Sequence, residues 1–255
     1  MSLFSLAGKT ALVTGGTRGI GQAIALGLAE HGADIILSQR SSNPTTDTRS
    51  AIEQLGRRCD IVHCDLADRA QVEALIPGLT PRQSIDILIN AAGIQIRRAA
   101  TEYDLDTYDT VVQTNLTAPF ILARDLARHW LAHGHRGKVI NVASISSFQG
   151  GVNMAGYSAS KGGVLQLTKA FSNEWAAQGV NVNAIAPGYI ATDMNVDTRT
   201  NPEAREYLQS ITERIPAGRW GTPDDLKGAA VFLASRASDY IHGEVIVVDG
   251  GWMGR

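Results

Sequence analysis

The sequence is poor in cysteine, in net charge of either sign and in long apolar runs. Two cysteines in 255 residues are too few for a scaffold held together by disulfides. The 23 lysines and arginines nearly balance the 25 aspartates and glutamates, so there is no basic surplus to neutralise a nucleic-acid backbone. Apolar runs such as Ile35–Leu37 and Val245–Val248 are far shorter than the roughly 20 residues that cross a bilayer. These shortages predict a protein that binds neither nucleic acid nor membrane.

The composition that remains is that of a globular protein. Apolar residues make up 44% of the chain and charged residues 19%, which provides enough apolar material for a core. The first ten residues, MSLFSLAGKT, contain neither the basic segment nor the apolar segment of a signal peptide. We therefore expect a folded cytoplasmic protein.

The two cysteines, Cys59 and Cys64, permit two interpretations. Together with His63 they could form a metal site, although a zinc site usually needs three or four ligands on a defined framework. If the segment is a strand, positions 59 and 64 are an odd number apart and point to opposite faces. We favour buried free thiols and expect no metal.

Short β-rich apolar runs alternate with longer amphipathic stretches along the chain. The predicted strands are Thr10–Thr14, Asp34–Gln39, Cys59–Cys64, Ile85–Asn90, Gly137–Ser144, Asn181–Ala186 and Glu244–Asp249. The predicted helices include Gly19–His31, Asp68–Leu79, Leu105–His133, Tyr157–Gln178 and Pro223–Ser235. Most strand runs are apolar throughout, which is typical of a parallel sheet covered on both faces. The alternation predicts a single α/β domain over residues 1–255, with a Rossmann-type, doubly wound parallel sheet of about seven strands and helices on both faces.

Two polar stretches interrupt this pattern. Ser41–Ser50 is predicted to be a surface loop that leads into a helix. Met194–Pro216 is irregular in pattern, and residues 190–216 are the candidate substrate lid.

A glycine-rich turn joins the first predicted strand to the first predicted helix. It reads Thr14-Gly15-Gly16-Thr17-Arg18-Gly19-Ile20-Gly21. Glycines allow positive φ and a close approach of ligand to backbone, while the helix N-terminus offers free N–H groups to a pyrophosphate. The strand–turn–helix context therefore predicts a dinucleotide site, and a glycine turn that only allows tight helix packing is the alternative.

The end of the second predicted strand bears on the choice of cofactor. Dinucleotide folds often carry an acidic residue there for the adenosine ribose, but this chain has Gln39 followed by Arg40. Arg18 lies within the glycine turn, and two guanidinium groups near the ribose suit a 2′-phosphate. We therefore predict that NADP(H) is favoured over NAD(H). The alternative is that both arginines are solvated loop residues.

Tyr157 and Lys161 are one helical turn apart at the start of a long predicted helix. Residues i and i+4 share a face, and a nearby ammonium favours the phenolate and lowers the phenol pKa. A phenol tuned in this way can exchange a proton with a carbonyl oxygen. Ser144, at the end of the preceding predicted strand, carries a hydroxyl that could bind the same oxygen, although a serine at a strand end is usually an ordinary turn residue.

With these motifs the chain resembles the short-chain dehydrogenase/reductase family over nearly its whole length. The resemblance implies a cofactor site formed by Gly15, Thr17, Arg18, Gly19, Ile20, Gly21, Arg40, Asp65, Leu66, Asn90, Ala91, Gly93, Tyr157, Lys161, Pro187, Gly188, Ile190 and Thr192. Ala91 departs from the family pattern, which has asparagine there.

The resemblance also implies a catalytic tetrad of Asn115, Ser144, Tyr157 and Lys161. In this family the tyrosine exchanges the proton of the alcohol, the serine stabilises its oxygen, and the lysine lowers the tyrosine pKa and holds the nicotinamide ribose. The asparagine keeps a water in place that links the lysine to solvent. A homotetramer is the assembly that the family implies.

Longer blocks such as Arg214–Gly221 and Asp249–Arg255 are similar to a subgroup of 2-deoxy-D-gluconate 3-dehydrogenases and 2-dehydro-3-deoxy-D-gluconate 5-dehydrogenases. The implied substrate is a sugar acid or keto-uronate. We expect Arg97 or Arg98 to bind its carboxylate and Gln149 to bind a hydroxyl, beside Ser144 and Tyr157. A solvated arginine pair is the alternative for positions 97 and 98.

Other functions remain open from the sequence. A 3-oxoacyl-carrier-protein reductase or a general carbonyl reductase would use the same tetrad. A non-catalytic dinucleotide-binding regulator would use only the cofactor site.

Overall fold

The computed structural model describes residues 2–40, 46–201 and 205–255. Its strands are β1 (Thr10–Thr14), β2 (Asp34–Gln39), β3 (Cys59–His63), β4 (Ile87–Asn90), β5 (Gly137–Val142), β6 (Val180–Pro187) and β7 (Val245–Val248). Its α-helices are α1 (Gly19–Glu30), α2 (Asp47–Gln54), α3 (Arg69–Leu79), α4 (Leu105–Val112), α5 (Ala118–Ala132), α6 (Ala155–Trp175), α7 (Val196–Thr200), α8 (Arg205–Arg214) and α9 (Lys227–Ala234).

All seven strands form one parallel sheet in the order β3-β2-β1-β4-β5-β6-β7. β1 is central, since Ala11 pairs with Ile35 of β2 on one side and with Ile87 of β4 on the other. The strand order reverses between β1 and β4. In doubly wound sheets this reversal opens a crevice at the carboxyl ends of the strands, where ligands bind.

Alternate residues of the strands enter two separate cores. In β1, Ala11 and Val13 pack with α1 and α9 on one face, whereas Leu12 packs with α3 and α5 on the other. Every residue of β1 is buried, which explains the unbroken apolar runs of the central strands. The predicted sheet with helices on both faces is confirmed.

The two cysteines also divide between these cores. Cys59 packs in the core on the α1 and α9 side, Cys64 packs in the core on the α3 and α5 side, and both are buried free thiols. His63 between them is exposed. These three side chains therefore do not converge on a common site.

One predicted helix contains an irregular turn. The chain is helical from Leu105 to Ala132, close to the predicted Leu105–His133, but a π-helical turn at Gln113–Thr117 lies between α4 and α5. Such turns insert an extra residue into the helical ladder and often occur at functional sites. Here the turn holds Asn115, whose side chain is bonded to the backbone after β4.

The two polar stretches, Ser41–Ser50 and Met194–Pro216, contain more helix than the sequence pattern indicated. Asp47–Gln54 is helical, with Thr46 capping its N-terminus, while Ser41–Thr45 lie outside the described residues. The second stretch, which was predicted to be irregular, contains α7 and α8. None of the helices in the described ranges is long and apolar enough to cross a membrane.

We predict that Gly137→Ala lowers the stability of the fold. A Cβ at this position would lie 2.3 Å from a ring carbon of Trp130, a fully buried side chain whose indole N–H donates to the Ile85 carbonyl at 2.7 Å. Overpacking of this kind costs about 1–3 kcal/mol of the free energy of unfolding. Gly78→Ala in α3 is the matched control, since no atom lies within 4 Å of its added methyl.

The comparison is made by thermal unfolding followed by circular dichroism. The Gly78 variant should unfold at or slightly above the wild-type temperature, because alanine is the better helix former. A Gly137 variant as stable as the Gly78 variant would contradict the packing that we describe.

Candidate active site

The glycine-rich turn after β1 leaves no room for side chains. A Cβ at Gly15, where φ is +65°, would lie 2.9 Å from the Ala92 Cα, and one at Gly21 would lie 2.3 Å from the Gly15 carbonyl oxygen. The first N–H groups of an α-helix have no intrahelical acceptor, and Arg18, the N-cap of α1, does not bind them with its side chain. This arrangement fits the diphosphate of a dinucleotide, which binds to backbone N–H groups at a helix N-terminus.

Thr14 connects this turn to the end of β4. Its hydroxyl oxygen accepts from the N–H groups of Ala91 (3.1 Å) and Ala92 (3.2 Å), and the hydroxyl donates to the Ile89 carbonyl at 3.3 Å. Position 91 therefore contributes through its backbone, so alanine at this position preserves the contact. The bonds join β1 to β4 at the point where the strand order reverses.

The arginines predicted to meet a 2′-phosphate lie at the surface beside this turn. Arg18 is exposed and lies 3.8 Å from the carboxylate of Asp193, which is also exposed. Arg40 is exposed at the end of β2, next to the buried Gln39. Residues 41–45, which follow Arg40, lie outside the described residues.

The predicted adenine-binding residues follow β3. The Asp65 carboxylate accepts from the Ala67 N–H at 3.0 Å, and the Leu66 carbonyl accepts from the Gln113 side chain at 3.2 Å. Both residues follow the carboxyl end of β3, the edge of the sheet where the glycine turn also lies.

Asn115 connects the π-helical turn to the loop after β4. Its side-chain oxygen accepts from the Ile94 N–H and its amide donates to the Ile94 carbonyl, both at 2.9 Å. The amide also lies 3.1 Å from the Ser160 hydroxyl, which in turn donates to the Tyr157 carbonyl. The buried asparagine therefore ties the end of β4 to the first turns of α6.

Ser144 lies two residues beyond β5, which ends at Val142 rather than at Ser144 as predicted. It caps a short 3₁₀ turn, and its hydroxyl oxygen accepts from the Ser146 N–H at 3.0 Å. Ser147 closes the same turn and donates to the Lys161 carbonyl at 2.7 Å. Sequence reasoning missed Ser147 and Ser160, because no motif distinguishes them from other serines.

Lys161 and Tyr157 share one face of α6. The Lys161 ammonium nitrogen lies 5.8 Å from the centre of the Tyr157 ring and donates to the Val142 carbonyl at 2.6 Å. Burial lowers the pKa of Lys161 to about 8, since a desolvated ammonium is less stable than the neutral amine.

The pKa of Tyr157 differs from the sequence expectation. Burial raises it, and the lowering contribution comes from a hydrogen bond with Ser144 rather than from Lys161. The Lys161 ammonium donates to the Val142 carbonyl at 2.6 Å.

Gly93 marks the place where these residues meet. A Cβ there would lie 3.3 Å from the Asn115 side-chain oxygen and 3.6 Å from the Lys161 nitrogen. Nearby, the Asn90 amide donates to Asn141 at 2.9 Å. The structure thus brings Asn115 and Lys161 to the end of β4, and Ser144 interacts with Tyr157 on α6 in a way that lowers the pKa of the phenol.

The segment after β6 reaches back to the glycine turn. Gly188 approaches the backbone of Asp249, since its Cβ would lie 2.7 Å from the Asp249 Cα. Ile190 is buried, and the Thr192 methyl lies 3.6 Å from the position of a Cβ at Gly19. From Pro187, the last residue of β6, the segment with Gly188, Ile190 and Thr192 thus runs toward the N-terminal end of α1.

The two arginines predicted to bind substrate differ in their surroundings. Arg98 forms an ion pair with Asp104, and its N–H donates to the Asn153 carbonyl at 3.2 Å. Arg97 is exposed and has no ion-pair partner among the residues that the structure describes, and its charge acts to lower the pKa of Tyr189, which burial raises. Gln149 is partly exposed just after the Ser144 turn.

Comparison with known proteins places this geometry in a family. A family model described as enoyl-(acyl carrier protein) reductase matches residues 15–253. A 2-dehydro-3-deoxy-D-gluconate 5-dehydrogenase of Pseudoalteromonas atlantica is 50% identical over 99% of this chain and 98% of that protein.

Solved structures also match over nearly the whole chain. A candidate 2-deoxy-D-gluconate 3-dehydrogenase from Agrobacterium tumefaciens with bound NADP is 45% identical with a TM-score of 0.93, over 100% of both chains. A gluconate 5-dehydrogenase from Burkholderia cenocepacia in complex with NADP and tartrate is 38% identical with a TM-score of 0.91, over 99% of this chain and 98% of that one. The chain belongs to the short-chain dehydrogenase/reductase family of NAD(P)-dependent oxidoreductases.

Proposed function

We propose that this protein uses NADP(H) to interconvert a secondary alcohol and a ketone in a six-carbon sugar acid, at a carbon remote from the carboxylate. The observation that carries the proposal is the convergence of Asn115, Ser144, Tyr157 and Lys161 beside the diphosphate cradle. The sugar-acid substrate is supported by the names of relatives that share up to half of the residues over almost the whole chain.

The cofactor, when bound, supplies or accepts the hydride. Tyr157 donates a proton to the carbonyl oxygen in reduction and removes it from the alcohol in oxidation. Ser144, already hydrogen-bonded to that phenol, stabilises the same oxygen. The protein contributes positioning and electrostatics.

Lys161 and Asn115 support this proton transfer. With a pKa of about 8, Lys161 can both hold and release a proton near neutral pH. Its ammonium is the group that would hold the nicotinamide ribose hydroxyls. Asn115 keeps the end of β4 against α6 through its two bonds to Ile94, which fixes the position of Gly93 next to Lys161.

The test of this proposal is cofactor oxidation at 340 nm with a 4-deoxy-5-keto-uronate as substrate. Rapid turnover of the acid, with much slower turnover of its methyl ester, is expected, since the ester lacks the charge. Comparable rates with the acid, the ester and simple ketones would overturn the sugar-acid assignment and indicate a general carbonyl reductase.

A 3-oxoacyl-carrier-protein reductase is the second candidate, because the matching family model is described by an acyl-carrier-protein activity. Docking of an acidic carrier protein favours a basic surface, whereas this chain has a net charge of −2. Turnover of an acetoacetyl thioester that exceeds turnover of the sugar acid would favour this candidate. Cofactor binding without turnover of any of these substrates would favour the dinucleotide-binding regulator.

We predict that Arg40→Asp shifts the cofactor preference toward NADH. A carboxylate at the end of β2 can accept from the ribose hydroxyls and repels a 2′-phosphate, so the ratio of kcat/KM for NADPH to that for NADH should fall at least about tenfold. Arg58→Asp, an exposed arginine beside β3, is the control. An unchanged ratio in the Arg40 variant would show that Arg40 does not contact the phosphate.

We also propose a homotetramer. An apolar groove between the π-helical turn, α5 and α6 is lined by Leu116, Phe120, Leu167 and Ala170, and it supports helix packing against a second copy. Light scattering coupled to gel filtration should give four times the chain mass. A monomer mass would contradict the assembly.

A further inference from the structure

Ser147 closes the short 3₁₀ turn that begins at Ser144, and its hydroxyl contacts two backbone groups at once. The hydroxyl oxygen accepts from the Ser144 N–H at 3.3 Å, and the hydroxyl donates to the Lys161 carbonyl at 2.7 Å. Ser144 and Lys161 are both members of the proposed tetrad, one on the turn after β5 and the other on α6. Ser147 therefore connects two tetrad residues without belonging to the tetrad.

The turn is also held by apolar packing, but not against α6. Its apolar residue, Ile145, is buried in a cluster with Ile211, Ile215 and Trp252, none of which belongs to α6. Within the described ranges, the bond from Ser147 is the one hydrogen bond from outside the proposed tetrad that joins this turn to α6. This bond therefore fixes where the turn lies along the helix.

Ser144 acts on Tyr157 between the same two elements. Its hydrogen bond acts to lower the pKa of the Tyr157 phenol, which burial raises. The Ser144 hydroxyl oxygen also accepts from the Ser146 N–H at 3.0 Å, so its position follows the backbone of the turn. A hydroxyl that serves both the phenol and the substrate oxygen tolerates little displacement, because a misplacement of about 1 Å can lower a rate about 10²-fold.

Stabilisation of the turn alone does not account for both contacts of Ser147. A capping box needs only an acceptor for the Ser144 N–H, which the Ser147 oxygen supplies. The helix does not need the second bond either, since carbonyls inside an α-helix already accept from the N–H four residues further on. The bond from Ser147 to the Lys161 carbonyl therefore joins the two elements rather than stabilising either one by itself.

We infer that Ser147 is a positioning residue that sets the place of the Ser144 hydroxyl relative to Tyr157 and Lys161 on α6. Both hydrogen-bonding functions of its hydroxyl are engaged by the backbone, so it acts through Ser144 and not on the substrate. The inference rests on the proposed function, because it assigns to Ser147 an effect on the proton transfer by Tyr157. It does not depend on which alcohol is the substrate.

The test is Ser147→Ala, followed as a single turnover of NADPH at 340 nm with the 4-deoxy-5-keto-uronate. The rate of the chemical step should fall about 10-fold, while the affinity for NADPH changes less than about twofold. Ser147→Thr retains the hydroxyl and should recover most of the rate. Ser146→Ala is the matched control, since within the described residues this neighbour in the same turn forms hydrogen bonds only through its backbone.

The pH dependence of the same rate separates positioning from a general loss of structure. If the Ser144 hydroxyl moves away from Tyr157, the hydrogen bond that lowers the pKa of the phenol weakens. The limb of the pH–rate profile that Tyr157 governs should then move to higher pH in Ser147→Ala and return in Ser147→Thr. An equal loss of rate at every pH, with the limb in its wild-type place, would overturn the inference.

The double variant Ser144→Ala/Ser147→Ala shows whether Ser147 acts through Ser144. Ser144→Ala alone should lower the rate about 10²-fold, and the second change should then add little. A double variant whose loss equals the product of the two single losses would overturn the inference, as would a Ser147→Ala variant with the wild-type rate beside a slow Ser144→Ala. A Ser144→Ala variant with the wild-type rate would instead overturn the proton transfer on which the proposed function rests.

Discussion

Tyr157→Phe is expected to lower kcat by roughly 10²- to 10⁴-fold while NADPH binds as tightly as in the wild type. The variant keeps the ring on α6 and removes only the hydroxyl that would carry the proton. Initial rates with the sugar acid and NADPH fluorescence titrations measure the two quantities.

Tyr240→Phe is the matched control, because its phenol is fully exposed and its loss should leave kcat unchanged. A Tyr157 variant that keeps most of the wild-type rate would mean that another group transfers the proton. Lys161 would then need a role other than support of proton transfer by Tyr157.

Lys161→Met is expected to lower kcat by about 10²- to 10³-fold and also to weaken NADPH binding. Methionine fills the buried site beside the Tyr157 ring but provides neither the proton of Lys161 nor its bond to the Val142 carbonyl. The combined effect distinguishes this variant from Tyr157→Phe, in which only kcat should fall. Stopped-flow binding and steady-state rates are the measurements.

Lys161→Arg identifies what the lysine contributes. Arginine keeps the positive charge but does not release a proton at neutral pH, whereas the lysine pKa is about 8. We therefore expect the arginine variant to bind NADPH better than the methionine variant and to remain slow in turnover. Full recovery of kcat by arginine would show that the charge alone matters.

The central strands could be predicted from the sequence because they are buried on both faces. Continuous apolar runs such as Ile35–Leu37 have no other stable place in a folded chain of this size, and the predicted β1 and β2 agree with the structure at both ends. The ends of β5 and β7 were less well defined. Ala143, which follows β5, is as apolar and buried as the strand residues before it.

The π-helical turn within the predicted helix could not be predicted, because the contacts that accompany it lie elsewhere in the chain. Leu105–His133 contains no glycine before residue 134 and its only proline, Pro119, is tolerated at the start of α5. The π-helical turn is accompanied by the bonds of Asn115 to Ile94, a partner 21 residues earlier. A periodicity analysis of the helix alone does not contain that contact.

Prediction of the site had the same limit, because spacing in the sequence does not show which side chains bind to each other. Spacing identified Tyr157 and Lys161 as neighbours on one helix, and the structure places them together. Spacing did not show that Arg98 would be engaged by Asp104 whereas Arg97 would be left without an acidic partner among the described residues.

The strand order has a consequence for the chain as it is synthesised. β1 lies at the centre of the sheet, but its partner β4 begins about 75 residues further on, so ribosomes working at roughly 5–20 residues per second deliver it several seconds later. During that interval one edge of this fully buried strand has no neighbour, while β2 and β3 can already assemble on the other. The nascent amino-terminal half is thus the stage at which this protein is most open to incorrect strand pairing, before any residue of the proposed tetrad has been translated.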